Sequence, residues 1–500
     1  MFQEAELGHR VDKRTFDREA APLRLALLAA QQRLREEART SVVLVVGGVE
    51  GAGKSETVAR LNAWMDPRHI ETNGFRPPTD EERQRPPMWR FWRVLPPKGR
   101  IGVFFGSWYT DPIVEAVEGP RRKRARAALD GRLDDILRFE RMLADEGVLV
   151  LKYWLHLSKA AQKARLEALA RDPRTRWRVT RQDRDRLASY DAFVATSERA
   201  LRRTSRGHAP WIIIEGTDAR YRDLAVGRSL LEALEARTGR EPASGRPARR
   251  RLPVGAPDVD RRTVLSALDL SSALPDGRYE AALERWQARL GTLLRDRAFR
   301  TRAAVLVFEG VDAAGKGGAI RRVTAATDMR WVKIVPVAAP SDEERARPYL
   351  WRFWRHLPPH GTVTIFDRSW YGRVLVERVE GFADPEHWER AYGEINDFED
   401  ALVRHGTVVV KLWLHISRAE QLRRFRERAR TDYKQYKITA EDWRNRRKWP
   451  QYEQAVCDMV ERTSTRVAPW TLVAAEDKRW ARVEVVKTVV RRIEAALDGA

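Results

Sequence analysis

Cysteine is almost absent from this sequence: Cys457 is the only one in 500 residues. An intramolecular disulfide is therefore excluded, and a cysteine-based zinc site is not expected. No apolar run approaches the ~20 residues that a membrane helix needs. The first sixteen residues, MFQEAELGHRVDKRTF, contain no apolar h-region, so no secretory signal is expected. Histidines are few, and His356, His360 and His415 show no metal-ligand spacing. No nucleic-acid-binding motif is present. Together these absences predict a cytoplasmic protein with neither a membrane nor a specific nucleic acid as partner. Acidic residues are in deficit, with 71 Asp and Glu against 94 Lys and Arg, a net charge of +23. Such an excess calls for a polyanionic partner, for which nucleic acid, linear polyphosphate and an anionic membrane surface are the classes.

What is present is a duplication. WRFWRVLPPKG at 89–99 returns as WRFWRHLPPHG at 351–361, and GVEGAGKS at 48–55 returns as GVDAAGKG at 310–317. SWY and VEG repeat with the same offset of 262 residues. KYWLHLS at 152–158 and KLWLHIS at 411–417 repeat with an offset of 259. A period this long excludes a solenoid and means two tandem domains. The Pro-, Gly- and Arg-rich stretch 238–262 reads as a linker between copies at 1–237 and 263–500. In each copy apolar strands alternate with helical patterns. The expected fold is α/β: two P-loop kinase-like α/β/α domains, each a parallel sheet flanked by helices, with a basic helical segment as a lid.

The first P-loop satisfies G-x-x-x-x-G-K-[ST] in full, and the second fails it at Gly317. Yet the second copy carries more of the chemistry. Backbone N–H groups of a loop through Gly310, Ala313, Ala314, Gly315 and Gly317 can cradle phosphate oxygens, and Lys316 neutralises the transferred group. Gly317 cannot supply the usual hydroxyl to Mg²⁺, so carboxylates must. Asp312 lies in the loop and Asp367 ends the strand VTIFD, as a metal-binding aspartate does in such folds. Arg368 and Arg373 follow, and guanidinium suits phosphate. The stretch from Arg418 to Lys448 is crowded with cations, including Arg423, Arg424, Arg428 and Lys437, and is placed to close over phosphates.

Four segments resemble the polyphosphate kinase 2 family: FEGVDAAGKGGAI, FDRSWYGRVLVERVEGF, KLWLHISRAEQLRRF and TSTRVAPWTLVAAEDKRWAR. The resemblance spans roughly 280–495 and, more loosely, the amino-terminal copy. It implies transfer of the terminal phosphoryl of inorganic polyphosphate to a nucleotide, with Mg²⁺, or Mn²⁺ as an alternative. It implies that Asp312, Lys316, Asp367 and Arg368 form the catalytic centre, with Asp312 and Asp367 on the metal. It also implies that Arg373, Arg424 and neighbouring lid cations contact phosphates. Chains of two fused copies are similar to members that convert AMP to ADP. The alternatives are a polyphosphate kinase acting on ADP or GDP, an ATP-dependent P-loop kinase, or a basic nucleic-acid-binding protein.

The offset supplies an internal comparison. Asp367 corresponds to Phe105, Arg368 to Gly106, Arg373 to Asp111, Arg426 to Glu167, Arg428 to Leu169 and Lys448 to Ser189. Lys54, Glu50 and Arg165 remain opposite Lys316, Asp312 and Arg424. The amino-terminal copy is expected to be inactive, a structural partner of the catalytic copy in a monomer or a homodimer.

Overall fold

The computed structural model describes residues 1–238, 263–432 and 438–498. The expected linker beyond Thr238, and the lid residue Lys437, lie outside them. The chain divides into two compact units. One holds most of the amino-terminal copy together with Ser341–Trp351, and the other most of the carboxy-terminal copy together with Asp80–Trp89. Each unit thus contains a short arm drawn from the other half of the sequence. In one, Arg347 Nε donates to Leu95 O at 3.0 Å, and in the other Arg85 Nε donates to Leu357 O at 3.1 Å.

The first unit contains α1 (Lys13–Glu37), β1 (Val42–Gly48), α2 (Lys54–Trp64), β2 (Ile70–Gly74), β3 (Ile101–Phe105) and β4 (Leu149–His156). Its later elements are α3 (Lys159–Arg171), α4 (Arg181–Ala188), α5 (Tyr190–Thr204), β5 (Trp211–Glu215) and α6 (Ala219–Arg237). The second repeats this with α7 (Tyr279–Arg295), β6 (Ala303–Gly310), α8 (Lys316–Thr324), β7 (Val332–Pro336), β8 (Val363–Asp367) and α9 (Pro385–Arg404). It ends with β9 (Thr407–His415), α10 (Arg418–Ala429), α11 (Ala440–Arg447), α12 (Trp449–Thr463), β10 (Trp470–Ala474) and α13 (Lys478–Asp498).

Both sheets are five-stranded and parallel, in the orders β2-β3-β1-β4-β5 and β7-β8-β6-β9-β10. The expected fold is the observed one. The central strands are apolar runs because helices cover both faces. β9 is buried at every residue. In such sheets ligands bind beyond the carboxyl ends of the strands, where the strand order reverses. Here that point is the end of β6, between β8 and β9. Among the described residues no helix is long and apolar enough to cross a membrane.

The repeated SWY motif and the lysine of K-x-W-L-H are explained by the core. Glu399 is buried and accepts from Trp370 Nε1 at 3.1 Å, Tyr371 OH at 2.7 Å and Lys411 Nζ at 2.7 Å. Lys411 Nζ also donates to Thr463 O at 2.6 Å. Glu140, Trp108, Tyr109, Lys152 and Thr204 repeat the network in the first unit. Burial pushes Glu399 up and Lys411 down, and each is opposed by the other's charge. Lys411→Met should lower the stability of this unit by about 3–5 kcal/mol, since the carboxylate is then buried without its cation. Adding Glu399→Leu should recover part of that loss. Urea denaturation of the two variants measures both effects.

Candidate active site

β6 delivers the chain into the P-loop. Phe308 pairs with Asp367, and Arg368 N donates to Phe308 O at 3.0 Å, so the end of β8 lies beside the loop. Gly310 has φ +150°, and a Cβ there would stand 2.4 Å from Leu414 O. Only glycine allows that approach of the two strands. Lys316 opens α8, and its Nζ donates to Gly310 O at 2.6 Å. The amino end of α8 and the loop N–H groups form an anion site.

Two residues other than glycine hold left-handed backbone at this point, Ala313 at φ +65° and Arg368 at φ +64°. Each costs about 1–3 kcal/mol and persists only where its surroundings enforce it. Their counterparts in the first copy are Gly51 and Gly106, at φ +75° and +76°. The second copy keeps the strain, and the first has relieved it.

Two clefts meet here. One, with about 1360 Å³ of empty space, runs over the loop and is walled by Arg321, Arg428, Lys478 and Arg482. Arg321, Arg428 and Arg482 have no ion-pair partner among the described residues. Asp367 also lines this cleft, and its carboxylate has no hydrogen-bond partner among the described residues. The second cleft, with about 770 Å³, is largely apolar and lined by Leu265, Trp413, His415, Trp449, Tyr452 and Val456. Both volumes include the open mouths. Asp312 and Arg368 line both clefts.

That junction is held from the lid. Asn445 Nδ2 donates to Asp312 Oδ2 at 2.9 Å, and Tyr452 OH donates to Asn445 Oδ1 at 3.0 Å. Arg368 lies 3.4 Å from Asp312 Oδ1 and 3.3 Å from Glu441 Oε1. Glu309 is buried beneath and accepts from Ser369 Oγ at 2.8 Å. Burial raises its carboxyl, and the charges of Lys316 and Arg368 oppose that rise. Burial lowers His415 to about 4, so at neutral pH its ring is an uncharged aromatic wall. Trp413 Nε1 donates to its Nδ1 at 3.5 Å.

The loop, Asp312, Lys316, Asp367, Arg368 and Arg428 therefore come together as read from the sequence. Three cations are paired within the protein. Arg424 lines the cationic cleft but is 2% exposed, and it donates to the carbonyls of Ala313, Ala314, Ala475 and Glu476 and to Glu420. In this arrangement it clamps the loop. Arg423 pairs with Glu420 on the surface, and Arg373 pairs with Glu377 at 2.9 Å; neither lines the two clefts. Arg321, Lys478, Arg482 and Asn445 were missed. The internal comparison could have found them, because the first copy has Ala59, Ala219, Asp223 and Arg186 at those places.

In the first copy the same space is filled by the protein. A Cβ at Gly315 would meet no atom within 4 Å, whereas one at Gly53 would stand 1.8 Å from Arg222 Nη1. Arg222 is buried against the loop where the second copy has Ala481. Lys54 is taken up by Gly48 O, Val49 O and Glu50. Glu50 in turn pairs with Arg186.

The donors suit a divalent ion. Among the described residues no group of three or more His, Cys, Asp or Glu stands together. An ion here would have the carboxylates of Asp312 and Asp367, completed by water and phosphate oxygens. That all-oxygen set is what Mg²⁺ takes, and Mn²⁺ accepts it too.

The family model for polyphosphate kinase 2 matches residues 10–242 and 273–498. A Pseudomonas aeruginosa protein named polyphosphate:AMP phosphotransferase is 55% identical over 499 residues, 99% of each chain. A Pseudomonas syringae pv. tomato protein of the same name is 53% identical, again over 99% of each. A crystal structure from Pseudomonas aeruginosa, a candidate polyphosphate kinase 2, matches with a TM-score of 0.89 at 53% identity, covering 100% of both chains.

Proposed function

The chain belongs to the polyphosphate kinase 2 family, and from that premise and the geometry of the site we infer that it transfers the terminal phosphoryl of inorganic polyphosphate to AMP, giving ADP. The observation that carries this reading is the meeting of a cationic cleft and an aromatic cleft at Asp312 and Arg368. The first suits a chain of phosphates and the second a nucleoside.

Polyphosphate lies over the loop, its negative charge met by Arg321, Arg428, Arg482 and Lys478. Lys316 and the loop N–H groups hold the phosphoryl group in transfer. AMP places its base between Trp413, His415, Trp449 and Tyr452, which brings its phosphate to Arg368. An oxygen of that phosphate attacks the terminal phosphorus in line. The new P–O bond forms as the terminal anhydride P–O bond breaks, and polyphosphate leaves one unit shorter. Charge neutralisation and alignment supply most of the acceleration in such a transfer. Asp312 and Asp367 would hold Mg²⁺, which supplies neutralisation of the phosphate oxygens when bound. Tyr452 and Asn445 keep Asp312 aimed into the junction.

The amino-terminal copy is read as non-catalytic and as a structural partner, in a monomer or a homodimer. Its loop is occupied by Arg222 and its lysine by carbonyls and a carboxylate.

The test is an incubation of AMP, ADP, GMP and GDP with polyphosphate and Mg²⁺, repeated with Trp449→Ala. AMP should give ADP with polyphosphate as sole donor. The variant should raise KM for AMP about tenfold and move KM for polyphosphate less than twofold. No turnover of AMP, or a KM for AMP unmoved by the variant, would refute the reading.

A further inference from the structure

The segment before each copy's first long helix is itself repeated. FQEAEL at 2–7 and LSALDL at 265–270 align, so that Phe2 corresponds to Leu265 and Glu6 to Asp269. In the first copy the Phe2 ring stacks on His156, with centroids 4.4 Å apart and an interplanar angle of 5°. It also stacks on Trp154 at 6.0 Å. Glu6 meets His156 Nε2 at 2.8 Å. In the second copy the corresponding rings, Trp413 and His415, face an open cleft, and Leu265 is one of its walls. Leu265 is 3% exposed, so it is seated. Both segments meet the same position of the helix that follows the lid, α5 in the first copy and α12 in the second. The amino terminus of Met1 pairs with Glu198 at 3.2 Å, and the corresponding Cys457 meets the Thr263 side chain and the Leu265 backbone.

We propose that the strap Thr263–Leu270 sets the depth of the acceptor cleft, with Leu265 as a specificity-determining residue for the nucleoside. The proposal rests on the reading of that cleft as the AMP site. The first copy shows the alternative setting: an aromatic ring at this place lies on the histidine face and occupies the room of a base. An aliphatic side chain leaves that face free and closes only the end of the cleft. Discrimination by an apolar wall is worth roughly ten- to two-hundredfold per added or removed group of this size.

Leu265→Phe should raise KM for AMP at least about tenfold and leave KM for polyphosphate within twofold. Leu265→Ala should raise KM for AMP about threefold through lost packing, and Leu265→Met should restore it. Phe2→Leu, in the first copy, should leave turnover unchanged. Cys457, the only thiol, reports whether the strap remains seated, and its rate of reaction with a disulfide reagent should be the same in Leu265→Phe as in the unaltered chain. A KM for AMP within twofold of the unaltered value in Leu265→Phe, with the rate of the thiol unchanged, overturns the proposal. If that variant speeds the reaction of the thiol, Leu265→Ala decides, and an unmoved KM for AMP again overturns it. Trp449→Ala separates the two readings. If it raises KM for AMP and the Leu265 variants do not, the cleft takes AMP and the strap does not shape it. If none of these variants moves that KM, both readings fall.

Discussion

Lys316→Ala is expected to lower kcat/KM for phosphoryl transfer to AMP by at least about a thousandfold, while Lys54→Ala leaves it within about twofold. The two lysines hold the same place in loops that differ little in sequence, so the contrast comes from their surroundings. Lys316 Nζ donates to one carbonyl, Gly310 O, lines the cationic cleft, and makes no ion pair with a carboxylate among the described residues. Its charge is available to the phosphoryl group, in a site where a single donor accounts for two to three orders of magnitude. Lys54 is held by two carbonyls and Glu50, and the Arg222 guanidinium is buried against the loop at Gly53, where the second copy is open at Gly315. Steady-state kinetics of the two variants with saturating polyphosphate decides between the copies. Loss of activity in Lys54→Ala with retention in Lys316→Ala would reverse the assignment.

Asp367→Asn is expected to lower kcat at least about a hundredfold and to raise the Mg²⁺ concentration needed for half-maximal rate. The substitution keeps the shape of the side chain and the pairing of β8 with β6, so folding is not at issue. It removes a charge from an oxygen that no protein donor engages among the described residues. On the proposed reading that carboxylate would share Mg²⁺ with Asp312, and Asp312 alone would be a weaker site. A Mg²⁺ titration of the variant measures the shift. An unchanged midpoint with kcat within tenfold would remove Asp367 from the metal site. The converse substitution, Phe105→Asp, should create no activity in the first copy, because Arg222 and the Arg186–Glu50 pair still fill its loop.

The fold was legible because apolar strands, P-loops and their spacing are local patterns, and the duplication printed each of them twice. The centre of the site was legible for the same reason: Asp312, Lys316, Asp367 and Arg368 sit at the ends of two strands whose order the pattern reveals. Roles that depend on burial were not. Arg424 lies in a run of cations and reads as a phosphate contact; it does line the cationic cleft, but no spacing foretells that it also holds Glu420 and four carbonyls from two distant stretches of chain. Lys478 and Arg482 lie outside that run, on α13, and reach the cleft only because α13 packs behind the loop. The aromatic cleft draws on β9, α12 and the strap, which no spacing brings together. His415 shows no metal-ligand spacing in the sequence, and its ring is a wall of that cleft.

The short arms carry a consequence for the history of the chain. Residues 80–89 belong in sequence to the copy with Phe105 and Gly106, yet they are packed into the unit with Asp367 and Arg368. Arg85 there supplies a bond to the backbone at Leu357. The exchange is reciprocal, so neither half of the gene can be discarded without taking a piece of the other's fold.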